Sequence, residues 1–254
     1  MTADDHELAR DLAAEAGRRL LELRARGGEP DLLRKAGDRL SHEFLTAALA
    51  DRRPGDVVLS EEGADDPARL TANRVWIVDP LDGTREFGEP GRTDWAVHVA
   101  LWGRAGGGEL TAGAIALPAQ DQVLSTAAPA GPLPPPAAQA RVRIVVSRTR
   151  APRFVRNISD LIDAELVPLG SAGAKVAAVV CGEADAYVHG GGFYEWDTAA
   201  PVAVARAAGC HASRIDGSPL AYNQANLRMP DILVCRPALA GTLLQAIREV
   251  TNAP

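Results

Sequence analysis

Two short apolar runs, each stopping abruptly at carboxylates, constrain this chain more than any other feature. Val75-Trp76-Ile77-Val78 leads directly into Asp79-Pro80-Leu81-Asp82-Gly83-Thr84, and Val57-Val58-Leu59 leads into Ser60-Glu61-Glu62-Gly63. Short apolar runs bounded by turn residues are the pattern of buried strands. A buried strand that ends in acid delivers charge to a sheet edge, where ligands of α/β proteins bind. Pro80 stiffens the path and Gly83 permits a sharp turn. Asp79, Asp82 and the Leu81 backbone carbonyl can then aim at one point, an all-oxygen set suited to a hard divalent cation such as Mg2+. Asp-Pro and Asp-Gly are also common loop punctuation, so a plain turn stands as the alternative for the hexapeptide alone. Two acidic strand ends lying side by side would repel unless a cation sat between them.

The rest of the chain supplies layers for such a sheet. Leu8, Leu12, Ala16, Leu20 and Leu23 recur at helical spacing until Gly27-Gly28, and a second helix is expected from about Asp38, carrying Leu40, Phe44, Leu45 and Leu49 as far as Pro54-Gly55. Strands expected at 95–102, 111–117 and 122–126 complete a sheet that packs both helices on one face. Residues 127–140 are almost entirely Ala, Pro and Gly, which reads as a linker between a first domain (1–126) and a second (141–254). Beyond the linker, strands and helices alternate: strand 141–146, helix 152–164, strand 166–169, helix 172–182, strand 184–189, a helix from Asp197, strands near 210–215 and 232–235, and a last helix over 237–250. The fold class is α/β (α+β), with a helix-on-sheet first half and an α/β second half.

Composition narrows the function classes. The formal net charge is −6, with acids and bases mixed throughout, which leaves no electrostatic footprint for nucleic acid or a membrane surface. Small-molecule partners are favoured. The polar, acidic start and the lack of a long uncharged apolar run lead us to expect a soluble, cytoplasmic protein. Cys181, Cys210 and Cys235 are widely spaced in apolar surroundings and read as core thiols. The five histidines show no metal-ligand spacing, and Gly106-Gly107-Gly108 has no following Lys-Ser/Thr, so neither a zinc site nor a phosphate loop is indicated.

A third acidic motif, Trp196-Asp197-Thr198-Ala199-Ala200-Pro201, places Asp197 at a helix start. Taken alone it reads as an N-cap, and Asp38 carries the same ambiguity. In combination, Asp79-Pro80-Leu81-Asp82-Gly83-Thr84 and Trp196-Asp197-Thr198-Ala199-Ala200, with Glu61-Glu62 upstream, resemble the paired signature motifs of the inositol monophosphatase superfamily. Gly170-Ser171-Ala172 and Ala184-Asp185-Ala186-Tyr187 extend the likeness. Arg85-Glu86-Phe87, Ser147-Arg148, Glu195 and Pro219-Leu220-Ala221-Tyr222-Asn223 are most similar to the bacterial 3′-phosphoadenosine 5′-phosphate phosphatases of sulfate assimilation.

The resemblance implies a layered α/β/α/β/α fold with two sheets, magnesium dependence, lithium sensitivity and removal of a 3′-phosphate to give AMP; a homodimer is common among such relatives. It implies that Glu61, Asp79 and the Leu81 carbonyl bind one Mg2+ while Asp79, Asp82 and Asp197 bind a second. A third ion would be held through water by Asp38. Glu61 and Thr84 would orient the attacking water and take its proton. Gly83 and Thr84 amides would hold phosphate oxygens, and Ser147, Arg148, Ser171, Glu195 and Asp197 would contact substrate. For Arg148, and for Arg150 beside it, a surface arginine is the competing account. For Lys175, set in an apolar helix, it is snorkelling to solvent. The stretch Leu32 to Leu40, LLRKAGDRL, and Gly190-Gly191-Gly192 before Phe193 depart from the family pattern. An inositol or sugar phosphatase with the same cluster, and a non-catalytic sensor that kept the fold, are the competing functions.

Overall fold

The computed structural model describes residues 4–131, 141–149 and 151–251. The chain opens with α1 (Asp5–Ala25) and α2 (Pro30–Arg52), then β1 (Val57–Ser60), β2 (Arg74–Asp82), the short α3 (Thr84–Gly88), β3 (Ala96–Gly103), β4 (Glu109–Leu117) and β5 (Gln122–Ser125). The second half runs β6 (Arg143–Ser147), α4 (Arg153–Leu161), β7 (Glu165–Leu169), α5 (Ala172–Val180), β8 (Ala186–His189), β9 (Phe193–Tyr194), α6 (Glu195–Ala207), β10 (His211–Ser213), β11 (Arg228–Met229), β12 (Ile232–Cys235) and α7 (Ala240–Thr251).

Two five-stranded sheets form, in the orders β1-β2-β3-β4-β5 and β10-β12-β8-β6-β7. Strand alternation sorts their side chains between three cores. Val75 and Ile77 of β2 face α5 and α6, while Trp76 and Val78 face α1 and α2. In the second sheet Val145, Tyr187 and Val234 turn to the same α5/α6 layer, and Ile144, Val188 and Leu233 turn to α4 and α7. The result is the expected α/β/α/β/α stack, with α5 and α6 shared by both sheets. Residues 132–140 of the expected linker and Arg150 lie outside the described residues. The halves on either side of that stretch do not keep separate cores, because Leu59 and Ile115 pack in one cluster with Val145, Val176 and Ile232.

Two expectations are corrected here. The second helix starts at Pro30, eight residues before Asp38, because Pro30 takes the first turn and the Glu29 carboxylate accepts the amides of Asp31 and Leu32. Asp38 therefore sits within α2 and caps nothing. The last helix likewise begins at Ala240, after a 3₁₀ turn over Pro237–Leu239. The small antiparallel pair β9/β11, beside α6, is absent from the sequence reading because two-residue strands leave no periodicity to read.

Candidate active site

A single irregularity in β2 builds the acidic centre. Asp79 pairs with His98 and Asp82 with Ala96 across the β2/β3 ladder, so β2 carries one residue more than its partner between these positions. In a regular strand residues 79 and 82 would point to opposite faces. The bulge turns Leu81 toward the α1/α2 core and brings Asp82 to the α5/α6 face beside Asp79. Pro80 is tolerated there because a bulge needs no ladder hydrogen bond from it. Gly83 follows at φ +84, and a Cβ on it would stand 3.1 Å from the Ser171 Cβ and 3.2 Å from the Asp94 carbonyl, so both backbone and space demand glycine.

Asp197 completes the centre from the first turn of α6. Its carboxylate accepts the Tyr194 amide at 2.6 Å, which fixes the side chain at the helix entry. One ligand oxygen from each of Asp79, Asp82 and Asp197 lies within 4.8 Å of the other two. Glu61 stands at the exposed rim, close enough to Asp79, Asp82 and Asp197 to feel their charges. Desolvation and mutual repulsion push these acids up, Glu61 to about 7, Asp197 to about 6 and Asp79 well above the ordinary carboxylate range. A cluster with this electrostatic cost and an all-oxygen donor set fits a hard divalent cation.

Asp82 differs. Burial pushes it up, but His98, the Ser171 hydroxyl and the Gly173 amide outweigh that and hold it below the usual range. Two donors converge on Oδ2, Gly173 N at 2.7 Å and Ser171 Oγ at 2.5 Å, and His98 Nε2 stands beside the same oxygen at 3.2 Å. Oδ1 is left for a ligand. Ser171, expected to contact substrate, thus also orients an acidic ligand. His98 is wholly buried, its Nδ1 is 3.1 Å from the Trp196 carbonyl, and a Cβ on Gly173 would stand 2.1 Å from Nε2. No sequence motif marks His98. Its place opposite Asp79 in the ladder was the missing signal, and register cannot be read from one strand.

The other expected residues separate. The Thr84 hydroxyl donates to the Leu81 carbonyl at 3.0 Å and stands 3.4 Å from the Asp38 carboxylate, so these three meet despite the shifted start of α2. Asp38 is pushed up to about 7 by burial and by Glu62. Arg148 forms ion pairs with Glu86 and Glu89 at 2.7 and 2.9 Å, pinning the end of β6 to α3. Glu195 is wholly buried, and its two oxygens accept the amides of Asn223 and Gln224. Its carboxylate is engaged by backbone, not turned toward the cavity described next.

Asp82 and Asp197 open onto a cavity of about 510 Å3, walled by Phe154, Tyr187, His189 and Phe193 and by Gly190-Gly191-Gly192. A neighbouring recess of about 270 Å3 is lined by Gly83, Thr84, Arg85 and Arg148, and Ser147, Ser171 and Lys175 border both. Lys175 Nζ donates to the carbonyls of Gly170 and Ser171, and burial lowers its pKa. This settles its place against solvent snorkelling.

The family model described as "Inositol monophosphatase family" matches residues 5–252. The chain belongs to the inositol monophosphatase family. It is 51% identical to a "3′-phosphoadenosine 5′-phosphate phosphatase" of Mycobacterium leprae (strain TN), over 97% of this chain and 94% of that protein. A protein of the same name from Mycobacterium tuberculosis (strain CDC 1551 / Oshkosh) is 52% identical, over 92% and 90%. Among solved structures, CysQ from Bacteroides thetaiotaomicron, "a bacterial member of the inositol monophosphatase family", superposes with a TM-score of 0.78 at 28% identity, covering 91% of this chain and 97% of that one. No described helix is long and apolar enough to cross a membrane.

Proposed function

We propose that this chain is a Mg2+-dependent phosphomonoesterase that hydrolyses 3′-phosphoadenosine 5′-phosphate to AMP and inorganic phosphate in the cytoplasm. The observation that carries the reading is the acid triad standing at the mouth of an aromatic-walled cavity, of the size that holds a small-molecule ligand. The names of the relatives at 51% and 52% identity support the nucleotide as substrate.

Asp79, Asp82 and Asp197 would hold one Mg2+, and Glu61, Asp79 and the Leu81 carbonyl another. When bound, the ions supply an acidified water and counter-charge for the leaving oxygen. The Thr84 hydroxyl, set between the Leu81 carbonyl and Asp38, orients the attacking water and passes its proton toward Asp38. Glu61 takes the same role. Asp38 would hold a third ion through water. Gly83 and Thr84 amides cradle the transferred phosphoryl group. Phe154, Tyr187 and Phe193 offer faces for the base. Ser147, Ser171 and Lys175 border both recesses and receive the ribose or second phosphate. Lys175 has one ammonium hydrogen beyond its two carbonyl bonds for that purpose.

The test is phosphate release from 3′-phosphoadenosine 5′-phosphate, inositol 1-phosphate and fructose 1,6-bisphosphate under identical Mg2+. A kcat/KM at least about tenfold higher for the nucleotide is expected from the added base contacts. Equal or better turnover of inositol 1-phosphate would overturn the substrate, and turnover indifferent to Mg2+ would overturn the cofactor.

A further inference from the structure

Eight residues beyond Glu61, Arg69 is the one buried residue in an otherwise exposed stretch, 61–70, and its side chain is 1% exposed. Its guanidinium binds Asp65 through two nitrogens at 2.5 and 3.1 Å, and its third nitrogen donates to the Asn223 side-chain oxygen at 3.0 Å. Asn223 answers by donating its side-chain amide to the Arg69 carbonyl at 2.9 Å. Asn223 has φ +57, a left-handed conformation that asparagine tolerates. That turn aims two successive amides at one carboxylate, so Asn223 N and Gln224 N bind the two oxygens of Glu195 at 2.6 and 2.7 Å. Glu195 is the first residue of α6, two positions before Asp197.

We infer that Arg69, Asn223 and Glu195 form a positioning strut that sets the distance between Glu61 on its loop and Asp197 on α6, and so tunes metal affinity. The inference rests on the reading of Glu61 and Asp197 as metal ligands. Two observations favour this over plain structural glue. A buried arginine and a buried glutamate are costly, and apolar residues of similar volume commonly replace such groups without loss of stability. The strut also joins the two segments whose relative placement the acid cluster needs, and its reciprocal amide pairing fixes register as well as contact. It gives a physical reason for the joint presence of Glu195, Arg69 and Asn223 in one sequence.

The experiment compares Arg69→Met, Asn223→Gly and a control, Arg236→Met, which breaks a buried ion pair with Asp185 at 2.7 Å at the other end of β8 from the cavity. Asn223→Gly keeps the left-handed turn and removes only the side-chain amide, so it serves if Arg69→Met does not fold. The Mg2+ concentration for half-maximal phosphate release is read beside the Mg2+-induced shift in Tm. Both strut variants should need about tenfold more Mg2+ while keeping kcat at saturating Mg2+ within about threefold, as expected for groups that orient metal ligands. Arg236→Met should lower Tm with its Mg2+ requirement changed less than about twofold, because remote sites do not couple. An unchanged Mg2+ requirement in the strut variants, or an equal change in the control, overturns the strut. A wild-type enzyme indifferent to Mg2+ overturns the ligand assignment beneath it.

Discussion

The two walls of the site are built on opposite principles. The acidic wall comes from β2 and the start of α6, with oxygens fixed by a bulge, a helix entry and two donors on Asp82. The facing wall consists of Gly190-Gly191-Gly192 and aromatic rings, where shape and backbone replace charge. Chemistry that needs particular functional groups at particular distances is written into side-chain identity, whereas recognition by shape is spread over many residues of ordinary type.

The largest effect should come from the acidic wall. Asp82→Asn should lower kcat on the order of 10³-fold while circular dichroism stays native, because a charge aimed at the reacting centre is lost. Near-native turnover in that variant would show that the acid triad is not the reaction centre. Ser171→Ala leaves the carboxylate in place but removes one of its orienting donors. It should raise the Mg2+ requirement about 10-fold or more, measured by titration of phosphate release, and no change would dissociate Ser171 from Asp82.

On the facing wall the effect should depend on substrate. Phe154→Ala should raise KM for the nucleotide about tenfold, the scale of one lost base-stacking contact, and leave inositol 1-phosphate turnover nearly untouched. An equal loss on both substrates would remove the distinction between the walls.

The smallest effect is one of pH. Glu61, Asp38 and Asp197 have folded-state pKa values raised to about 7, 7 and 6, so the metal-free protein is favoured while they are protonated. That stability is lost as pH rises from the ordinary carboxylate range through 6 and 7. Added Mg2+ should relieve the repulsion, so the Mg2+-induced rise in Tm should grow by a few degrees between pH 5 and pH 8. A shift that shrinks over that range contradicts the sign.

The same division explains what could be read from the chain alone. Apolar runs that end in acid were legible, as were the long helices and strands, because their periods repeat over many residues; the five-layer stack was implied only by the family resemblance. Asp38 was marked by the family resemblance, yet its place within α2 was not legible, since Glu29 and Pro30 start the helix eight residues earlier. His98 and the double engagement of Glu195 depend on ladder register and on contacts between residues far apart in sequence. No local pattern carries those. Arg148 was visible as a cation past a strand end, but its carboxylate partners Glu86 and Glu89, in and just after α3, were not.

The shared α5/α6 layer has a consequence for biosynthesis. Leu59, Val75, Ile77 and Ile115 pack in one cluster with segments made later, among them Val176 and Val202. While the ribosome is still translating the second half, the finished first sheet presents a bare apolar surface, the kind of exposed patch that invites aggregation. The nascent chain is therefore most vulnerable just before α6 emerges, and arrival of that one helix both shields the surface and delivers the last acid.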